Sequence, residues 1–115
     1  MSEREYDLVV VGAGPAGSSA AYAAAKNGIK VALLEKEESV AQTVRTSGVT
    51  WIDYVKEFGI PEDCYNPIRT YNFCSPKNKV SISDEQAKAA VLDVRKTYRF
   101  LADQAKKNGA EIFVK

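Results

Sequence analysis

The chain has 115 residues, 45% of them hydrophobic and 27% charged, with a net charge of +1 and no histidine. That length suits one domain, and a near-neutral charge gives no electrostatic pull toward nucleic acid or an anionic membrane surface. The lack of histidine excludes Ser-His and Cys-His nucleophiles and the usual zinc ligand sets, and no apolar run approaches the ~20 residues of a membrane-spanning helix.

Residues Met1 to Glu5 mix charges of both signs and lead straight into a strand, unlike a signal peptide. Residues 6–11 are predicted to be that strand. Leu8, Val9, Val10 and Val11 form an uninterrupted, mostly β-branched run, as expected of a parallel strand buried on both faces. The run enters Gly12-Ala13-Gly14-Pro15-Ala16-Gly17. Gly12 lets the chain turn out of the strand. Gly14 lets backbone approach a pyrophosphate with no Cβ in the way, and Gly17 lets the next helix pack close to the sheet. Pro15 fits the first helical turn, where a missing N–H is harmless. The alanine-rich helix predicted over 15–27 ends at Asn27-Gly28, an αL-type cap. Its N-terminal N–H groups and dipole favour phosphate. A second strand, 30–35, ends on Glu35, from where a carboxylate can accept hydrogen bonds from both hydroxyls of a ribose and would repel a 2′-phosphate. Strand, glycine turn, helix, strand and acid in this order make a dinucleotide-binding βαβ unit over 6–35.

Beyond Glu35 an NAD domain would continue with another helix and a parallel strand. Here residues 36–48 are instead a polar loop. Val49, Ile52, Val55 and Phe58 suggest a short amphipathic helix stopped by Gly59-Ile60-Pro61, with Trp51, Tyr54 and Phe58 expected in a core. Residues 61–69 read as loop. Residues 70–75 and 79–83 alternate polar and apolar around Pro76-Lys77-Asn78, which predicts an antiparallel pair over 70–83. Residues 84–92 are open between loop, strand and helix. A helix is predicted over 93–108, with Val94, Tyr98, Leu101 and Ala105 on one face and Asn108-Gly109 as its cap. A strand over 110–115 stops in mid-run, so the domain is expected to be incomplete. Glu37, Glu38, Lys77 and Lys79 are expected to be solvated. Cys64 and Cys74 form no CxxC pair; each is expected to be a small, buried or half-buried thiol in a reducing, cytoplasmic setting. The fold class is therefore α/β: a Rossmann-like βαβ unit with a parallel sheet and a small antiparallel insertion.

The run from Tyr6 to Lys36 resembles the start of the FAD-dependent oxidoreductase superfamily of glutathione-reductase-like fold. Three later features resemble its geranylgeranyl reductase branch and the related aromatic-ring hydroxylases and halogenases. They are Arg45-Thr46-Ser47-Gly48, Phe58-Gly59-Ile60-Pro61, and the helix bearing Val91-Leu92-Asp93-Val94-Arg95 and Phe100-Leu101-Ala102. The resemblance implies FAD as cofactor; the residues themselves offer no metal site. It implies that Gly12, Ala13, Gly14, Pro15, Ala16 and Gly17 line the pyrophosphate, and that Glu35, with Lys36 beside it, takes the adenosine ribose. It implies that Arg45, with Thr46 and Ser47, reaches toward the phosphates or ribityl chain, and that Arg95 approaches from its helix. The chain departs from the family pattern in two respects. Thr46 and Ser47 stand where many of these reductases carry a cysteine, and Val94 stands where the family arginine falls when Leu101-Ala102 is the anchor. No catalytic acid or base is nominated, because in flavoenzymes the cofactor supplies the redox chemistry. Catalytic residues are expected beyond Lys115.

The implied activity is hydride transfer from reduced flavin to an isoprenoid double bond. The alternatives are a flavin-dependent monooxygenase or halogenase, and, in a different class, a nucleotide-binding module without catalysis of its own. The implied partners are a small-molecule or lipid substrate and an electron donor, NAD(P)H or ferredoxin, with no nucleic acid. A lipid substrate would bring membrane association to an otherwise cytoplasmic protein.

Overall fold

The computed structural model describes residues 3–115. In chain order the elements are β1 (Leu8–Val11), α1 (Pro15–Lys26), β2 (Val31–Leu34), β3 (Val49–Trp51), α2 (Ile52–Glu57), a 3-10 turn (Glu62–Cys64), β4 (Tyr65–Ile68), β5 (Thr70–Cys74), β6 (Lys79–Ser83), β7 (Ala89–Leu92), α3 (Val94–Lys107) and β8 (Glu111–Phe113). They divide into two compact units, one ending at Arg45 and resuming over Arg95–Lys115, the other Thr46–Val94.

The first unit is a parallel sheet in the order β1-β2-β8. Leu8 pairs with Val31 and Val11 with Leu34, while Ala32 pairs with Glu111 and Leu34 with Phe113. Side chains alternate along a strand, and one face is the core. Val10, Val31, Leu33 and Ile112 pack there with Ala13, Ala21, Ala25, Ala105 and Ala110. The small alanines let α1 lie close to the strands. Leu33 and Val31 are fully buried, each worth about 1.5–3 kcal/mol relative to exposure.

β1 is not buried on both faces. Leu8, Val9 and Val11 are 37%, 52% and 81% exposed. The reason is position. Among the described residues β1 pairs with β2 alone, and Val9 and Val11 point away from the face on which Val10 meets the alanine core. A β-branched run identifies a strand but does not say how many neighbours it has.

The second unit holds an antiparallel sheet, β3-β7-β4, and a separate two-stranded sheet, β5-β6. β7 is central, with Ala89 and Ala90 buried. It occupies the stretch that was open from sequence, pairing Ala89 with both Trp51 and Ile68. Residues 61–69, which read as loop, hold the 3-10 turn and β4. Pro67 is tolerated because β4 lies at the sheet edge. The helix predicted from Val49 begins only at Ile52, since Val49–Trp51 is drawn into a strand by β7. Trp51, Tyr54 and Phe58 are 60%, 52% and 58% exposed, so the core expected for them is not there; Val55 is the residue α2 buries. Trp51 belongs to β3 and Phe58 is the residue that caps α2, so of the three aromatics only Tyr54 lies within the helix, beside the buried Val55.

Gly48, near the start of this unit, has φ +79. A Cβ there would lie 2.7 Å from the Leu92 carbonyl oxygen and 2.8 Å from Val94 Cγ2. The Gly48 carbonyl in turn accepts the Leu92 N–H at 2.9 Å. Among the described residues no helix is long and apolar enough to cross a membrane, and no group of acidic, cysteine or histidine side chains could hold a metal ion.

Candidate functional site

The glycine turn sits at the C-terminal end of β1. Gly12 has φ +98, and its N–H donates to the Leu34 carbonyl at 2.7 Å, fastening the end of β1 to β2. Gly17 is where α1 passes closest to that turn. A Cβ on Gly17 would strike the Gly12 carbonyl oxygen, with the Gly12 carbonyl carbon at 3.0 Å and Val10 Cγ1 at 3.4 Å. Gly14 is different in kind. It is the N-cap residue of α1, in extended conformation, and a Cβ there would meet nothing within 4 Å. Open space therefore lies over the backbone at Gly14. No side chain caps α1, so its first N–H groups and the positive end of its dipole face that space. Ser18, fully buried, closes the first turn by donating its N–H to the Gly14 carbonyl at 2.9 Å.

Glu35 is built into the same turn. Its Oε2 accepts the Ala13 N–H at 3.0 Å, and its Oε1 accepts the Glu37 N–H at 3.1 Å. Its own N–H donates to the Phe113 carbonyl at 2.8 Å. Both carboxylate oxygens are thus oriented by backbone, and each keeps a lone pair for a further donor. Ala13 is 1% exposed, so the Ala13–Glu35 bond is shielded on one side.

The loop after Glu35 is organised rather than merely solvated. Glu37 Oε2 accepts the Thr43 N–H at 3.0 Å. Thr43, through side chain and backbone, holds the Glu37 carboxyl below its ordinary value, against a smaller effect of desolvation and aided by the charges of Lys36 and Arg45. The Glu37 carbonyl accepts the Lys115 N–H at 3.0 Å. Ala41 is buried, with φ +56. From α3, Arg95 Nε donates to the Ala41 carbonyl at 3.1 Å and Arg95 Nη2 to the Gln42 carbonyl at 3.3 Å. Arg99 Nε donates to the Val40 carbonyl at 3.2 Å.

The structure thus brings Gly12, Ala13, Gly14, Pro15, Ala16, Gly17 and Glu35 together. Lys36 follows Glu35 with its side chain exposed, and Arg45 is exposed at the end of the loop. Arg95 is directed at loop carbonyls. Thr46 and Ser47 belong to the second unit, where both are exposed and Thr46 Oγ1 accepts the Gly48 N–H at 3.4 Å. Glu37 and Arg99 were not nominated from sequence. For Arg99 a signal exists: it lies one helical turn from Arg95, so both must project from one face of α3. For Glu37 there is none, since its partner is the backbone of a loop. An accessible backbone at Gly14, an uncapped helix N-terminus and a fixed carboxylate at the end of β2 fit the pyrophosphate and ribose of a dinucleotide.

The FAD binding domain family model matches residues 7–63. The digeranylgeranylglycerophospholipid reductase of Methanocaldococcus jannaschii is 40% identical over 114 residues, covering 96% of this chain and 29% of the reductase. An uncharacterized protein from the nifH2 5′ region of Methanosarcina barkeri is 35% identical over 128 residues, covering 98% of this chain and 67% of that protein. Among solved structures, a geranylgeranyl bacteriochlorophyll reductase-like protein from Thermoplasma acidophilum matches with a TM-score of 0.83 and 31% identity, over 95% of this chain and 30% of that one. A flavin-dependent brominase shares the fold, with a TM-score of 0.68 and 24% identity over 94% of this chain and 29% of its own. The chain therefore spans under a third of the length of the named reductase it matches.

Proposed function

Because the chain belongs to the geranylgeranyl-reductase-like branch of the FAD-dependent oxidoreductases, we propose that it forms the ADP-binding portion of a reductase acting on isoprenoid double bonds. Its cofactor is FAD. The observation that carries the nucleotide reading is the Ala13–Glu35 bond beside the open backbone at Gly14. The substrate class is supported by the 40% identity to a digeranylgeranylglycerophospholipid reductase across 96% of the chain.

In this reading the backbone from Gly12 to Gly17, with Pro15 at the first helical turn, receives the pyrophosphate. Glu35 accepts the ribose hydroxyls with the lone pairs left by Ala13 and Glu37. Lys36 and Arg45 supply positive charge along the loop, and Thr46 and Ser47 follow Arg45 toward the phosphates or ribityl chain. FAD, when bound and reduced by the electron donor, would supply the hydride for the alkene, with a proton completing the addition. The residues of this chain bind and orient; they contain no acid or base assigned to the chemistry. The 115 residues alone hold the ADP half of the cofactor weakly and do not turn over. The electron donor is NAD(P)H or ferredoxin, and a lipid substrate would bring the protein to a membrane surface.

Two measurements test this. Calorimetry with ADP on the 115-residue chain should show binding that Glu35→Gln weakens; equal affinity in the variant removes Glu35 from the site. A family-length protein carrying this segment, given reduced flavin and a digeranylgeranyl lipid, should add hydrogen in two-dalton steps by mass spectrometry. Oxygen consumption dependent on an aromatic substrate, with no lipid reduction, would assign a monooxygenase or halogenase instead.

A further inference from the structure

We infer that Arg95 and Arg99 are positioning residues for the nucleotide site: from α3 they hold the loop after Glu35 in the shape that receives the adenosine end. The inference rests on the nucleotide reading of the glycine turn and Glu35.

Three consecutive carbonyls, those of Val40, Ala41 and Gln42, accept hydrogen bonds from these two guanidinium groups. The two arginines are one helical turn apart and share a face of α3. Each bond has a charged donor and is therefore of the stronger kind. Ala41, in the middle, is buried and has a positive φ of 56°, a conformation that residues other than glycine rarely adopt. A strained residue persists where its surroundings determine it, and here they are the arginines on three successive carbonyls. At the near end of the loop Glu37 accepts the Thr43 N–H and the Lys115 N–H. Between Glu35 and Arg45 the path of the chain is therefore fixed from three sides. That path places the Glu37 N–H on Glu35 Oε1, so loop shape and carboxylate orientation are linked through one bond. Arg95 thus acts on the site through the loop, its Nε and Nη2 directed at backbone rather than at a ligand.

The test uses the 115-residue chain with Arg95→Ala, Arg99→Ala and the conservative Arg95→Lys. Without nucleotide, amide hydrogen exchange over residues 37–45 should rise by about tenfold or more in each alanine variant, the loss of a charge-assisted bond. Exchange in β1 and β2 should stay at the parent rate, which separates loop release from unfolding. Calorimetry then compares ADP with inorganic pyrophosphate. ADP affinity should fall several-fold in the alanine variants while pyrophosphate affinity, which reads the glycine turn alone, stays constant. Arg95→Lys should recover part of both the protection and the ADP affinity. Reduced ADP affinity with unchanged loop exchange would make Arg95 a direct ligand contact and overturn the inference. Faster exchange with unchanged ADP affinity would reduce the pair to loop stability and overturn it equally. If the parent chain takes pyrophosphate but not ADP, the glycine-turn reading stands and the positioning role falls. If it takes neither, the nucleotide reading itself falls.

Discussion

Gly14 and Gly17 lie one turn apart, yet substitution should separate stability from binding. At Gly17 an added Cβ meets the Gly12 carbonyl oxygen, well inside contact distance, with the Gly12 carbonyl carbon at 3.0 Å. The neighbour is backbone, and its peptide cannot swing away cheaply because the Gly12 N–H is tied to the Leu34 carbonyl at 2.7 Å. Overpacking of this kind costs about 1–3 kcal/mol, here at the upper end. Alanine's better helix propensity offsets up to about 1 kcal/mol. The net expectation for Gly17→Ala is a loss of about 2 kcal/mol, or a fall in Tm of roughly 8 °C for a chain of this size. At Gly14 nothing lies within 4 Å of the added Cβ and φ is −76°. Gly14→Ala should therefore cost less than about 1 kcal/mol, the weaker N-cap preference of alanine. It should nonetheless lower ADP affinity by about tenfold or more, a lost charge-assisted contact to backbone. Urea unfolding followed by far-UV circular dichroism measures the first quantity and calorimetry with ADP the second. A Gly17→Ala chain that unfolds at the parent midpoint would refute the close approach of α1 to the turn. A Gly14→Ala chain that binds ADP as the parent does would refute the cradle.

Other expectations follow from single contacts. Gly48→Ala should destabilise the second unit by about 2–4 kcal/mol, from left-handed backbone strain and a collision with the Leu92 carbonyl, read by Trp51 fluorescence in urea. Glu35→Gln should cost about 1 kcal/mol of stability, because a side-chain amide turns a donor toward one of the N–H groups of Ala13 and Glu37; equilibrium unfolding checks it. Glu37 has a lowered folded pKa, so its contribution is complete above the ordinary glutamate value and is lost as pH falls through the folded value. Protection of the loop amides over residues 37–45, taken relative to their intrinsic exchange at each pH, should therefore fall below about pH 4.5, and Glu37→Gln should flatten that dependence. Cys74 is exposed and Cys64 buried, with neither in a disulfide. A thiol reagent should modify Cys74 promptly and Cys64 only after denaturant is added.

Fold class and the glycine turn between strand and helix were legible in the residues because their determinants are local. A β-branched run, glycines at 12, 14 and 17, an alanine-rich helix and an acid at 35 each state a backbone requirement that holds before any distant contact forms. The Ala13–Glu35 bond joins residues 22 apart and was not read from the sequence. What was not legible depends on partners remote in sequence. β3 and β4 become strands because β7 lies between them, and the pattern of residues 49–58 alone favours a helix. The exposure of Val9, Val11, Trp51, Tyr54 and Phe58 depends on which faces other segments cover, and no local pattern states that. The roles of Arg95 and Arg99 were hidden for the same reason. Composition marks them as charged residues on a helix, and only the packed unit brings the carbonyls of Val40, Ala41 and Gln42 within their reach. The sequence by itself determined the βαβ unit with its glycine turn, through short-range steric rules for glycine and the alternation of strand and helix. Tertiary structure alone decided that β3, β7 and β4 pair, which aromatics are exposed and what holds the loop beside Glu35, because each depends on contacts between segments far apart in the chain.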